Sequence, residues 1–162
     1  MKQYLHNFKS QQLLKLLLIA HILILLSVYV IEYGMNVYAC KLCKYQRIPY
    51  FINIAVLSLL ILDFNKFKKI IYILLLSLFI NLGISFYHIG VEQKIFSETK
   101  VCKITNQAKS KDDLLKQLNK SGIKGCSKVT FRIFGFSLST LNFFTNIVFL
   151  LLCYHITRNE KK

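Results

Sequence analysis

Apolar residues in this 162-residue chain come in four long blocks, Leu13 to Ile31, Ile48 to Leu62, Ile70 to Ile89 and Phe134 to Ile156. Blocks of that length leave few folds open. A bilayer core of about 30 Å takes roughly 20 helical residues at 1.5 Å each. In hydrocarbon, only helices and closed barrels satisfy their own backbone hydrogen bonds. The first, third and fourth blocks are long enough. The second has 15 residues and reaches the length when Lys44 to Arg47 form its first turn and their cationic ends snorkel outward. The pattern predicts an all-α integral membrane four-helix bundle, one domain over 1–162. Its spans are about 13–31, 45–62, 70–89 and 134–156, and its outer loops about 32–44 and 90–133. Three spans plus a re-entrant segment is the weaker alternative.

The first block exceeds the core of a secretory signal, and no A-x-A cleavage site follows it. Val37-Tyr38-Ala39-Cys40 only faintly matches a lipoprotein cleavage box, because Tyr38 is large and three more apolar blocks follow. The block reads as a retained helix.

Net charge is +15, from 22 basic and 7 acidic residues. Nucleic-acid binding needs a basic face on a soluble domain, and the pattern leaves no room for one. Attraction to anionic lipid headgroups accounts for the charge instead. Only Arg47, Arg132 and Arg158 are arginine, so each raises the question of whether a guanidinium is required there.

Four spans put both termini on one side. That side carries nine basic residues and the opposite side thirteen, so a raw count favours termini outside. The positive-inside rule weighs short loops and span ends, where Lys66, Lys68, Lys69 and both tails are dense. Charge alone is therefore ambiguous. Cys40, Cys43, Cys102 and Cys126 all fall on one face, and disulfides persist in oxidising compartments. The expectation is cysteine loops outside and termini in the cytoplasm.

Within the second outer loop, Ser110-Lys111-Asp112-Asp113 has capping-box spacing, Leu114, Leu115 and Leu118 form a narrow apolar stripe, and Gly122 is a suitable stop. A short amphipathic helix lying on the membrane surface fits that pattern, as does a solvated loop.

Cys40-Lys41-Leu42-Cys43 is the strongest chemical signal. Two thiols at this spacing close and reopen as a disulfide, a two-electron couple. A zinc ribbon needs a second C-x-x-C, and Cys102 and Cys126 are too far apart for one. Covalent haem attachment needs His where Lys44 stands, and a thioredoxin-like domain needs a soluble βαβ pattern. A bridge across two residues closes almost no loop and stabilises little, so redox use is favoured. Arg47 falls one helical turn beyond Cys43. There it can favour a thiolate or hold a carbonyl oxygen of a bound ring, or simply anchor at the headgroups. Pro49 suits the first turn of the second helix, and Tyr45 and Tyr50 suit an aromatic belt.

Cys102 and Cys126 enclose 23 residues. Closing such a loop contributes roughly 3 to 4 kcal/mol on the chain-entropy model, so a structural staple competes with redox use here. Neighbouring lysines at 100, 103, 124 and 128 favour thiolate and exchange. Cys153 and His21 sit in apolar blocks and read as packing. His88 and Glu92 are i, i+4 neighbours at the outer end of the third span, either a functional pair or a satisfied interfacial one. Ser137, Asn142, Thr145 and Asn146 suit interhelical hydrogen bonding.

Cys40-Lys41-Leu42-Cys43-Lys44-Tyr45-Gln46-Arg47 resembles the C-x-x-C-x-[YF]-x-R segment of the DsbB family, the membrane quinone reductases that reoxidise periplasmic thiol oxidases. Tyr87-His88-Ile89-Gly90-Val91-Glu92 resembles that family's segment closing span three, and Phe134 to Ser139 with Asn142 resembles its entry to span four. The departures are a second loop without Trp and strongly basic. The resemblance implies a redox-active Cys40–Cys43 pair and a second redox-active disulfide, Cys102–Cys126. It implies a DsbA-like periplasmic thiol oxidase as partner, attacking at Cys102 and freeing Cys126 to attack the first pair. Electrons would leave through Cys43 to a quinone, ubiquinone or menaquinone, with Arg47 and His88 at the quinone site. It further implies a bacterial inner-membrane protein acting as a monomer in disulfide bond formation. The rivals are a paralogue dedicated to one client, a vitamin K epoxide reductase type, disfavoured because its C-x-x-C lies late in the chain, and a non-catalytic scaffold with structural disulfides.

Overall fold

The computed structural model describes residues 2–37, 39–97, 102, 126–127, 129, 131–133 and 135–159. Helix α1 runs Lys2–Tyr29 and continues as a π-helical turn, Val30–Gly34. Helix α2 is Lys41–Leu62, α3 a single turn at Phe64–Phe67, and α4 Ile71–Glu92 after a 3₁₀ turn at Lys68–Ile70. Strands β1 (Arg132–Ile133) and β2 (Phe136–Ser137) pair antiparallel, Ile133 opposite Phe136, and lead into α5, Leu138–Asn159. Four stretches are long and apolar enough to cross a bilayer: Ser10–Gly34, Lys41–Leu62, Ile71–Glu92 and Leu138–Arg158. The expected all-α four-helix membrane bundle is the fold.

Helical spacing decides which faces meet. On α1, Leu14, Leu17, His21 and Leu25 share a buried stripe, and on α4 so do Leu74, Leu78, Asn81, Ser85 and His88. Leu16, Leu23, Leu76, Phe79 and Leu151 face outward, as a surface in contact with acyl chains requires. α4 packs against α2 and α5, and α1 packs against α2. The core at the α3 end holds Leu14, Leu57, Leu60, Leu74, Leu78, Phe149 and Ile156. Cys153 is buried in it, in the packing role expected. His21 likewise packs: its ring stacks on Phe149, its Nδ1 lies 2.8 Å from the Leu17 carbonyl, and Asn53 Nδ2 lies 3.2 Å from its Nε2.

A polar spine crosses the middle of the bundle. Tyr50 Oη donates to Asn142 Oδ1 (2.6 Å), Asn142 Nδ2 donates to Ser85 Oγ (2.7 Å), and Asn81 Nδ2 donates to Asn146 Oδ1 (3.2 Å). In a setting where lipid is as apolar as leucine, such bonds tie helices together at about 0.6 to 2 kcal/mol each. Thr145 is not part of the spine, because its hydroxyl bonds back to the Leu141 carbonyl of its own helix.

Several boundaries differ from expectation. α2 starts at Lys41 rather than about 45, because Cys40 caps it. Pro49 therefore lies inside the helix, where it can offer no N–H to the turn before it, and Tyr50 is buried at the spine rather than set in an aromatic belt. The fourth span starts at Leu138 rather than 134. Gly135 takes φ 86° in the turn between β1 and β2, a conformation no helix continues through, and Ser137 Oγ caps α5 at the Thr140 N–H (3.3 Å). The amphipathic helix expected near 110–122 lies outside the described residues.

At the C-terminal end of α4 the chain doubles back, with the Ile95 and Phe96 amides donating to the Gly90 carbonyl at 2.8 and 3.1 Å. Phe96 then covers Gly90 so closely that a Cβ there would meet its ring at 2.1 Å. Gly90→Ala is expected to destabilise the bundle by about 1 to 3 kcal/mol through overpacking, read as a lower thermal midpoint in detergent. Combining it with Phe96→Ala removes the clash, and the second change then costs less than it does alone.

Candidate active site

Cys40 has extended backbone (φ −65°, ψ 167°) and stands one residue ahead of α2, where its sulfur accepts the Cys43 N–H at 3.3 Å. This is an N-cap made with sulfur. The same turn brings the two sulfurs to 3.0 Å, both as free thiols. α4 supplies the third member: His88 Nε2 lies 3.5 Å from Cys40 Sγ. Glu92, one turn further, places Oε1 3.6 Å from that nitrogen, while its Oε2 accepts the Ser137 hydroxyl at 2.6 Å. His88 is only 1% exposed, and its Nδ1 is buried without a hydrogen-bond partner. The donor atoms of Cys40, Cys43 and His88 all lie within 4.8 Å of one another.

Hydrogen bonding from Cys43 holds the Cys40 thiol below the ordinary thiol range, with His88 assisting and burial opposing. A depressed thiol pKa keeps the thiolate populated as pH falls. Alkylation of Cys40 in the reduced, chelator-treated chain is therefore expected to persist to lower pH than that of an ordinary thiol, which fades below its pKa of about 8.5. Mass mapping of iodoacetamide adducts across pH checks this, and a midpoint near 8.5 contradicts it.

The second cysteine pair is a disulfide, Cys102–Cys126, with Cα atoms 5.4 Å apart. Both residues are buried, and they form a cluster with Leu42 and Val91 against which Cys40 and Tyr87 pack. The four loop cysteines expected to work together thus share one end of the bundle.

Cys43 faces another way. With Arg47, Gln46, Tyr50, Asn142 and Glu32 it lines a cavity of about 230 Å³, closed by Leu25, Val28, Ile31, Leu138 and Leu141. The lining is largely apolar, with polar groups from α2 and α5 and with Ser27 and Glu32 from the first span. Arg47 is held by an ion pair with Glu32 and lies over the Tyr29 ring at 4.9 Å, yet its Nε is buried with no hydrogen-bond partner. The headgroup-anchor reading of Arg47 does not match this interior setting. His88 does not line the cavity; it is brought to Cys40 instead. A second groove, about 580 Å³ between α2 and α4, is lined by Ile48, Ile52, Ile73, Ile80 and other apolar groups without a cysteine or a charge, and suits acyl chains.

Glu32 and Tyr29 were not singled out in the sequence. One signal was available, since Glu32 is the sole acidic residue among the first 62 and ends an apolar block, where an ionisable group is functional by default. The π-helical turn that aims it inward had no such signal, although such turns recur at functional sites.

Residues 10–156 match the family model described as disulfide bond formation protein DsbB. An uncharacterised protein of Rickettsia prowazekii (strain Madrid E) is 30% identical over 153 residues, covering 91% of this chain and 88% of the relative. No solved structure matches. With four membrane-length helices and two cysteine pairs at one end of the bundle, the chain belongs to the DsbB family of membrane proteins of disulfide bond formation.

Proposed function

We propose that the chain is a protein-disulfide:quinone oxidoreductase of a bacterial inner membrane. It reoxidises a DsbA-like periplasmic thiol oxidase and passes the electrons to ubiquinone or menaquinone. One observation carries the reading: the C-x-x-C pair looks two ways, Cys40 toward the Cys102–Cys126 disulfide and Cys43 into a cavity with Arg47.

A partner thiolate attacks Cys102, forming a mixed disulfide and releasing Cys126 as thiolate. Cys126 attacks the oxidised Cys40–Cys43 pair, and Cys43 leaves as thiolate into the cavity. The partner's second thiol then displaces Cys102, which recloses with Cys126 and leaves Cys40 and Cys43 as a dithiol. Reclosing that dithiol releases two electrons and two protons, which a quinone bound beside Cys43 takes up. The residues present fit such a group. The walls are largely apolar, and Arg47 among the lining residues carries N–H donors of the kind that hold a ring carbonyl oxygen. Thermodynamics requires an acceptor of this strength, because a DsbA-type oxidant stands at about −120 mV and few carriers can regenerate it.

The orientation with cysteine loops periplasmic and termini cytoplasmic belongs to the same proposal. Purified chain given a reduced DsbA-like protein and ubiquinone or menaquinone is expected to convert quinone to quinol, one per dithiol oxidised. Absence of conversion with both quinones overturns the proposal. A scaffold with structural disulfides would leave Cys40 and Cys43 unchanged in thiol trapping when respiration is blocked. A paralogue with a dedicated client would yield one mixed-disulfide adduct from a Cys126→Ser variant.

A further inference from the structure

We propose that the reduced chain carries a binding site for a thiophilic d¹⁰ divalent cation, Zn²⁺ or Cd²⁺, made by Cys40 Sγ, Cys43 Sγ and His88 Nε2. This goes beyond the electron route above and does not depend on it. Two sulfurs and one imidazole nitrogen are the ligand set such ions select. Tetrahedral coordination with Zn–S near 2.3 Å and Zn–N near 2.0 Å sets S···N at about 3.6 Å and S···S at about 3.8 Å. Cys40 Sγ lies 3.5 Å from His88 Nε2 and 3.0 Å from Cys43 Sγ, and all three donors fall within 4.8 Å of one another, so the two sulfurs must part by about 0.8 Å to hold an ion. The three donors come from two helices already packed together, and His88 is buried with Nε2 turned to the sulfurs. Three protein ligands leave the fourth position open, and Glu92 Oε1 stands 3.6 Å from the His88 nitrogen.

Binding displaces whatever thiol protons the pair still carries and moves no electrons. While the ion is held, neither sulfur is free to attack a disulfide or to close on the other. Occupation therefore arrests the dithiol in its reduced form. The oxidised pair lacks both thiolates and does not bind.

The test titrates the purified, fully reduced chain with Co²⁺, followed by Zn²⁺, with no quinone and no partner present. One Co²⁺ per chain with thiolate charge-transfer absorption and intense tetrahedral d–d bands is expected, displaced by Zn²⁺ and accompanied by protection of Cys40 from alkylation. His88→Ala and His88→Gln weaken the site at least tenfold, and Cys43→Ser or oxidation removes it. A Cys102→Ser, Cys126→Ser background keeps the signal, since only one dithiol is needed. Helical circular dichroism certifies each variant's fold. Equal affinity in the His88 variants, survival of the bands after oxidation, or no charge-transfer band in the wild type each overturns the inference. A chain that reduces quinone yet binds no ion overturns this inference alone, and one that binds the ion but reduces no quinone overturns only the proposed function.

Discussion

Cys43→Ser is expected to bring quinone reduction to the uncatalysed background while the Cys102–Cys126 disulfide still exchanges with a reduced thiol partner. The reason is positional. Among the described cysteines, Cys43 alone lines the cavity beside Arg47, whereas Cys40 packs against the cluster that holds the second disulfide. Serine keeps the backbone N–H that bonds to the Cys40 sulfur at 3.3 Å, so the start of α2 survives the change. It removes the leaving thiolate, and with it the only way to close the first pair. A stopped assay with reduced partner should consequently show Cys102-linked adducts accumulating as quinol formation ceases. Continued quinol formation would place the electron exit elsewhere.

The second large effect concerns Arg47. Arg47→Ala should raise the apparent KM for quinone by about 10- to 100-fold, since a hydrogen bond from a charged donor contributes about 1.5 to 3 kcal/mol and each 1.4 kcal/mol is tenfold. The same change leaves the Glu32 carboxylate in the bundle without its partner. Removing one member of a buried pair costs about 3 to 5 kcal/mol, more than the pair itself contributes. A large drop in thermal midpoint is thus expected of the single variant. A Glu32→Gln, Arg47→Gln double variant separates the two consequences: stability returns toward wild type while quinone binding stays weak. Recovery of both would reduce Arg47 to a structural partner of Glu32, and loss of neither would remove it from the site.

These two residues also show where sequence reasoning reached and where it stopped. Helix count, the C-x-x-C at the mouth of α2 and the i, i+4 pair His88 and Glu92 were all legible, because apolar block length and residue spacing are local properties. Arg47 stood out as one of three arginines, but its partner Glu32 lies on another helix. The helix boundaries moved by a few residues where capping chemistry, sulfur at Cys40 and the Gly135 turn before Ser137, outweighed hydropathy.

By itself, then, the sequence determined four apolar blocks, three of them of full membrane length, and placed the thiol pair and the other two loop cysteines near their ends. Reading the blocks as helices follows from the cost of burying an unpaired backbone group in lipid, and reading the pair as redox-active follows from its two-residue gap. What only the tertiary structure decided is partnership: His88 with Cys40 rather than with the cavity, Glu32 with Arg47, and the second disulfide against the first pair. Each of these joins residues distant in the chain, and helix rotation and packing choose among such pairs where periodicity cannot.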